Sequence, residues 1–67
     1  MNWDQIEGNW KQFKGQVREK WGELSDDDVE RINGKRDQLS GILQRKLGLA
    51  KEAAEQQIAE FETSLKA

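Results

Sequence analysis

The side chains that could perform chemistry in this chain are carboxylates, amines and hydroxyls, because its 67 residues include no His, no Cys and no Tyr. Histidine acid–base catalysis, thiolate chemistry, disulfides and Cys/His zinc sites are therefore excluded within the chain. Phosphate-binding and dinucleotide-binding glycine motifs are absent as well. We expect no enzyme activity, no cofactor, no catalytic residues and no metal site.

The densest carboxylate group is Asp26-Asp27-Asp28, which directly follows Ser25. These three acids could hold a hard cation loosely, but no EF-hand spacing surrounds them. A serine followed by acids is typical of a helix start, where the hydroxyl accepts from a free backbone N–H. The carboxylates then lie at the positive end of the helix dipole. We therefore interpret this group as a helix cap.

A second candidate site is Asn33-Gly34-Lys35-Arg36, where a turn dipeptide precedes two basic residues. Such a segment could form a helix-hairpin-helix turn whose backbone N–H groups face a phosphate. It lacks the second glycine that these hairpins normally carry. Asn33, Gly34, Lys35 and Arg36 are thus the candidate contact for a partner or a phosphate, and a nucleic-acid-associated module is the alternative function.

The charge pattern argues against nucleic acid as the partner. Eleven Lys and Arg stand against thirteen Asp and Glu, which gives a net charge of −2. Nucleic-acid binders usually carry an excess of positive charge on one face, whereas basic and acidic residues alternate here. We expect a solvated surface, with ion pairs within helices at a spacing of four residues. These pairs are Glu7–Lys11, Asp27–Arg31 and Glu62–Lys66.

Apolar residues recur at intervals of three and four, which is typical of amphipathic helices. The first stripe consists of Trp3, Ile6, Trp10, Phe13, Val17, Trp21 and Leu24. The pattern predicts helices over about 3–21, 26–33, 35–47 and 50–65, and no strands. Asn2 is expected to cap the first helix, and Asn33-Gly34 to separate the second from the third. Gly22 and Gly48 suit the left-handed position after a helix end.

The three tryptophans are predicted to belong to the core, because they share the first stripe with aliphatic residues. We expect burial of Trp10, Phe13, Val17, Trp21, Leu39, Leu43 and Leu47. We expect Lys11, Lys14, Arg18 and Glu19 to face the solvent.

An internal repeat with an offset of 26 residues relates two parts of the chain. Identical pairs are Ile6/Ile32, Gly8/Gly34, Gln12/Gln38, Gly15/Gly41, Lys20/Lys46 and Gly22/Gly48. A duplicated helical hairpin explains the repeat better than a solenoid, which needs more copies. Gly8 and Gly15 project away from the first apolar stripe. They permit either the close approach of a second helix or chain, or a helix of low stability that lets the chain fold and unfold with conditions.

A chain of this length predicts one small domain over residues 1–67 with a thin core. No stretch approaches 18 apolar residues, and the N-terminus has no apolar segment of the secretory type. We therefore expect a cytoplasmic protein that does not associate with membranes.

Three runs together carry a family resemblance. They are Gly8 to Gly15 (GNWKQFKG), Trp21 to Asp28 (WGELSDDD) and Gly34 to Gly41 (GKRDQLSG). They closely resemble the CsbD-like family of small bacterial stress-response proteins over residues 2 to about 62. The resemblance implies an all-α, four-helix domain of two orthogonally packed α-hairpins, often grouped with SAM-like folds.

The resemblance also implies induction under general stress and supplies no catalytic or ligand residues, because the family's molecular activity is not established. We expect a non-enzymatic protein that acts by interaction or protection. It is expected to be a monomer or a weak homo-oligomer with an unknown protein partner.

Overall fold

The computed structural model describes residues 2–65, which fold into five helices. These are α1 (Trp3–Gly8), α2 (Trp10–Lys20), α3 (Asp26–Ile32), α4 (Arg36–Leu47) and α5 (Lys51–Ser64). The described part of the chain contains no strand. The predicted all-α fold is confirmed.

One continuous cluster of buried side chains holds the helices together. Its members are Trp3, Ile6, Trp10, Phe13, Val17, Trp21, Leu24, Val29, Ile32, Leu39, Ile42, Leu43, Ala54, Ile58 and Phe61. The predicted burial is confirmed except at Leu47, which is half-buried at the end of α4. Lys11, Arg18 and Glu19 are exposed as predicted, whereas Lys14 is half-buried because it pairs with a carboxylate of α3.

The prediction of one continuous helix over about 3–21 is wrong, because two helices, α1 and α2, occupy this range. Asn9 separates α1 from α2 with φ −121° and ψ 37°. Its backbone N–H donates to the carbonyls of Gln5 and Ile6, and its side-chain amide also donates to the Gln5 carbonyl. Gly8 and Asn9 both have low helix propensity, and asparagine competes for backbone hydrogen bonds. The chain therefore forms five helices where four were expected.

Two predicted helix caps are confirmed, each with a pair of reciprocal hydrogen bonds. The Gln5 N–H donates to Asn2 Oδ1 at 3.0 Å, and the Asn2 N–H donates to Gln5 Oε1 at 3.2 Å. The Asp28 N–H donates to Ser25 Oγ at 3.2 Å, and the Ser25 N–H donates to Asp28 Oδ2 at 3.0 Å. Both boxes satisfy N–H groups that a helix start leaves without intrahelical partners.

Gly22 and Gly48 are both predicted to have left-handed backbones, and the prediction is confirmed for one of them. Gly48 ends α4 with φ 66°, whereas Gly22 does not have a positive φ. Trp21 ends α2 instead, and the turn that follows is closed by the Leu24 N–H, which donates to the Trp21 carbonyl at 3.0 Å. Trp21 and Leu24 are both buried at this turn, so the chain turns between two core residues.

Helix boundaries recur at the offset of the sequence repeat. α2 begins at Trp10 and α4 at Arg36, and each follows a short helix that ends at or near a glycine. The break at Asn9 thus corresponds to the predicted break before Lys35. These boundaries support the repeat, while the SAM-like arrangement of two orthogonal hairpins stays a prediction.

Tryptophan side chains connect helices that are distant in the chain. Trp21 Nε1 donates to Gln57 Oε1 at 2.7 Å, and the Trp21 ring lies 5.3 Å from the Phe61 ring between centroids. These contacts fasten α5 to the end of α2. Among the described residues, Trp10 Nε1 is the buried side-chain polar atom without a hydrogen-bond partner.

Ion pairs in the described part of the chain link different helices. They are Lys14–Glu30, Arg18–Asp26, Lys35–Glu7, Arg36–Glu55, Arg36–Glu62 and Lys46–Asp28. The predicted pairs Glu7–Lys11 and Asp27–Arg31 are wrong, because neither forms within residues 2–65. The pair Glu62–Lys66 extends outside the described residues. The short helices bring opposite charges together across their interfaces, which a spacing rule for one helix does not detect.

We expect Gly15→Ala to raise the free energy of unfolding by about 0.5–1 kcal/mol, because alanine favours the helix and restricts the unfolded chain. A Cβ at Gly15 would have no neighbouring atom within 4 Å. Gly41→Ala should act alike, since its Cβ would make an ordinary contact with Arg45 at 3.7 Å. Urea denaturation measures both effects, and a loss above about 1 kcal/mol at Gly15 would indicate an approaching partner surface.

Candidate functional site

The candidate site is the turn between α3 and α4, which contains the four residues singled out in the sequence. Asn33 and Gly34 both have left-handed backbones, with φ 47° and φ 80°. The Lys35 N–H donates to the Ile32 carbonyl at 2.8 Å and closes the turn. Lys35 is the N-cap of α4, and its side chain, which has no acceptor, forms no capping hydrogen bond. The predicted helix break at Asn33-Gly34 is confirmed.

Gly34 is buried because α1 packs directly on it. Trp3 Nε1 donates to the Gly34 carbonyl at 2.7 Å, across 31 residues of chain. A Cβ built on Gly34 would lie 3.0 Å from Glu7 Cγ and 3.2 Å from Glu7 Cα. Only glycine combines a positive φ with so close an approach of another backbone. The glycine of the candidate site is therefore a packing surface for α1.

Both basic residues of the turn face carboxylates. Lys35 Nζ lies 3.7 Å from Glu7 Oε2, and Lys35 is exposed. Arg36 is half-buried, and its guanidinium pairs with Glu55 and, through Nε at 4.0 Å, with Glu62. The carboxylates reduce the positive potential that the turn presents to an external anion.

Arg36 also changes the acidity of its partner on α5. The hydrogen bond from its guanidinium, followed by one from the Ser40 hydroxyl, lowers the pKa of Glu55 below its usual range. Ser40 is buried and also accepts a hydrogen bond from Gln44 Nε2 at 3.2 Å. Arg36, Ser40 and Glu55 thus form one polar network between α4 and α5. This network could not be predicted from the sequence, because its members are 4 to 19 residues apart on two helices.

The first turn of α4 is the part of the site that could hold an anion. A surface cleft of about 350 Å³ opens there, between α1 and the start of α4. Its lining consists of Trp3, Glu7, Lys35, Arg36, Asp37 and Gln38. Backbone N–H groups at a helix start attract anions, but Asp37 and Glu7 place negative charge at the same cleft.

The four predicted residues therefore have different environments. Asn33 and Lys35 are exposed, Arg36 is half-buried, and Gly34 is buried under α1. Prediction from the sequence did not include Trp3 and Glu7, which contact the turn from α1. Nothing in the sequence around Trp3 or Glu7 predicts a contact with Gly34, although the apolar stripe predicts that Trp3 is buried.

A separate charged cluster surrounds the start of α3. Asp28 is 8% exposed and accepts hydrogen bonds from the Ser25 N–H and from Lys46 Nζ, the latter at 2.9 Å. These two bonds, with the backbone one first, lower the pKa of Asp28 from 3.8 to about 2. On the outer side, pairing with Lys14 lowers the pKa of Glu30. Asp28 therefore joins the cap of α3 to the end of α4.

Two further properties concern the chemistry that the surface can support. Within residues 2–65, no three His, Cys, Asp or Glu side chains gather in the way that a metal ion would require. None of the helices in that range has the length and apolarity to cross a bilayer.

Comparison with known proteins places the chain among small bacterial proteins. The sequence profile of a family described as CsbD-like matches residues 4–56. UPF0337 protein ECA0631 of Pectobacterium atrosepticum is 56% identical over 62 residues, which cover 92% of this chain and 90% of the relative. UPF0337 protein YjbJ of Escherichia coli K12 is 54% identical over 63 residues, with 94% and 91% covered. UPF0337 protein pc0632 of Protochlamydia amoebophila is 53% identical over 62 residues, with 92% and 94% covered.

We expect Gly34→Ala to lower the free energy of unfolding by more than about 1 kcal/mol, because the Cβ meets both a positive φ and the backbone of Glu7. Gly48→Ala is the matched control, since Gly48 also has a positive φ but no atom within 4 Å. The difference between the two variants in urea denaturation measures the packing of α1 on the turn. Equal losses would contradict that packing.

We expect the free energy of unfolding to fall as the pH decreases from about 4 to about 2. The folded pKa of Asp28 is below its ordinary value, so its stabilisation is complete above pH 3.8 and disappears as the pH falls through about 2. Asp28→Asn should flatten this acid-dependent loss, while Asp27→Asn, on the same turn but without these contacts, should retain it. Urea denaturation over this pH range provides the measurement. If Asp28→Asn loses as much free energy of unfolding at low pH as the parent does, Asp28 is not the group responsible.

Proposed function

This chain belongs to the CsbD-like family, and from that membership we propose that it is a small non-enzymatic stress-response protein of the bacterial cytoplasm. In this proposal it acts by interaction or protection, and not by chemistry on a substrate. The observation that carries the proposal is the family match over residues 4–56, supported by relatives that are more than half identical along almost the whole chain.

The charge distribution supports a protein that responds to its ionic environment. Arg18 and Asp26 pair across α2 and α3 with side chains that are 47% and 84% exposed. Exposed pairs contribute little individually and weaken as salt screens them. Because the ion pairs link separate helices, a change in ionic strength acts on the packing of the helices against one another. A protein induced by osmotic stress would meet such a change directly.

Its exposed, mixed-charge surface also suits a protective function. Acidic and basic side chains alternate on the surface, while the apolar residues are collected in one core. Such a surface remains hydrated, because most of the large apolar side chains of residues 2–65 are buried in the core. A protein of this kind can surround other macromolecules at high concentration without binding them tightly.

A second candidate function is association with nucleic acid through the Asn33–Arg36 turn. The observation in its favour is the start of α4, where no side chain caps the helix and two basic residues adjoin its first N–H groups. The observation against it is the pairing of Lys35 with Glu7 and of Arg36 with Glu55. We therefore rank it below interaction or protection.

The proposal is tested by drying or freeze–thawing a labile enzyme, such as lactate dehydrogenase, with and without this protein. We expect the recovered enzyme activity to exceed that obtained with an equal mass of lysozyme. The matched control is Trp21→Ala, which removes a buried ring that is 2% exposed and should unfold the domain. Recovery no better than with lysozyme would contradict a protective function.

The two candidate functions are separated by a fluorescence anisotropy titration with DNA and RNA at two salt concentrations. The first proposal expects no salt-sensitive binding with a Kd below about 1 µM. Binding of that strength, lost in a Lys35→Gln/Arg36→Gln variant but kept in Lys51→Gln, would instead support the nucleic-acid function.

A further inference from the structure

The N-terminal helix α1 is connected to the rest of the chain by a single non-helical residue, Asn9. We propose that α1 is an exchangeable element, through which two copies of this chain form a reciprocal dimer. Each copy would place its α1 on the Gly34 turn of the other, in the position that its own α1 occupies in the monomer. This inference rests on the geometry of α1 and is independent of the proposed function.

The first support is the apolar stripe, which continues through the break. Trp3, Ile6 and Trp10 keep the three–four spacing across Gly8 and Asn9. A straight helix over residues 3–20 would therefore keep its apolar side chains on one face. The sequence is thus compatible with two conformations, one broken at Asn9 and one continuous.

The second support is the ease with which the break can straighten. Neither Gly8 nor Asn9 has a backbone in the left-handed region, and a Cβ at Gly8 would meet no atom within 4 Å. In the broken form, α2 begins without a side-chain cap. A continuous helix would supply its first N–H groups with the carbonyls of α1 as partners.

The third support is that the α1 of a second copy can make the same contacts with the α3–α4 turn. Trp3 donates to the Gly34 carbonyl, Glu7 packs on Gly34, and Glu7 pairs with Lys35 at 3.7 Å. All these contacts lie between α1 and the α3–α4 turn. The α1 of a second copy would restore each of them.

The occupant of the vacated turn is therefore a second copy of this chain. Trp3 and Ile6 are buried in the monomer, and release of α1 would expose both, so a released α1 must dock elsewhere. The surface that matches its indole, its carboxylate and its close approach to a glycine is the same turn in another molecule. Exchange of an identical element gives a closed two-fold dimer, as in other domain-swapped proteins.

The first test replaces the hinge by helix-forming residues. The Gly8→Ala/Asn9→Ala variant favours the continuous helix and removes the bond from the Asn9 side chain to the Gln5 carbonyl. We expect its dimer Kd, measured by light scattering after size exclusion and by native mass spectrometry, to be at least about tenfold lower than that of the parent. Gly15→Ala is the matched control, because it adds the same helix propensity outside the hinge and should leave the Kd unchanged.

The second test distinguishes exchange of α1 from any other dimer. Glu7→Lys and Lys35→Glu each place like charges together within a monomer, but a swapped heterodimer of the two restores both opposite-charge pairs. After refolding together from urea in equal amounts, the ratio of heterodimer to both homodimers together should be at least about fivefold above its value for random pairing. The control is the chain that carries both substitutions. Two differently labelled samples of it should pair at the random ratio, because every combination forms opposite-charge pairs.

Three results would overturn the proposal. The first is a Gly8→Ala/Asn9→Ala variant that is folded by circular dichroism and remains monomeric at every concentration. The second is an equal gain in dimer from Gly15→Ala. The third is a dimer in which Glu7→Lys and Lys35→Glu mix only statistically, because that dimer would use another surface.

Discussion

The hydrogen bond from the Trp3 indole to the Gly34 carbonyl is the contact on which the arrangement of the N-terminal half depends. It requires the left-handed turn at Asn33-Gly34, which presents that carbonyl to α1. It requires glycine at position 34, since a side chain there would collide with Glu7. It also requires the break at Asn9, which lets α1 leave the direction of α2. Gly34, which the sequence suggests as part of a phosphate contact, is thus the residue on which α1 packs.

Ion pairs add contacts to the remaining interfaces, which the buried core holds together. Each ion pair of the described residues joins two elements and does not lie within one helix. Asp28 is the least exposed of these carboxylates, and it both caps α3 and receives Lys46 from α4. Burial supplies most of the stabilisation of so small a domain, and the exposed pairs add little individually.

Local chemistry explains which features could be predicted from the sequence. The apolar stripes, the caps at Asn2 and Ser25, and the break at Asn33-Gly34 each depend on residues within one or two turns. The ion pairs and the Trp3–Gly34 contact could not be predicted, since they depend on how the helices cross. The break at Asn9 is an intermediate case. The repeat pairs Gly8 with Gly34, which is a sign of a second break, but the apolar stripe runs through Asn9 and predicts one continuous helix there. The repeat does not predict the backbone of every glycine, since Gly48 is left-handed and its repeat mate Gly22 is not.

The three tryptophans have three different hydrogen-bonding states. The indole N–H of Trp3 meets a backbone carbonyl, that of Trp21 meets a side-chain amide, and that of Trp10 is buried without a partner. Indole proton shifts in nuclear magnetic resonance depend strongly on such bonding, so each ring gives a separate signal. Trp3 belongs to α1, Trp10 to the start of α2, and Trp21 to the junction of α2 with α5. The three indoles therefore report on three places in the chain. Its partial unfolding can thus be followed at three places without adding any label.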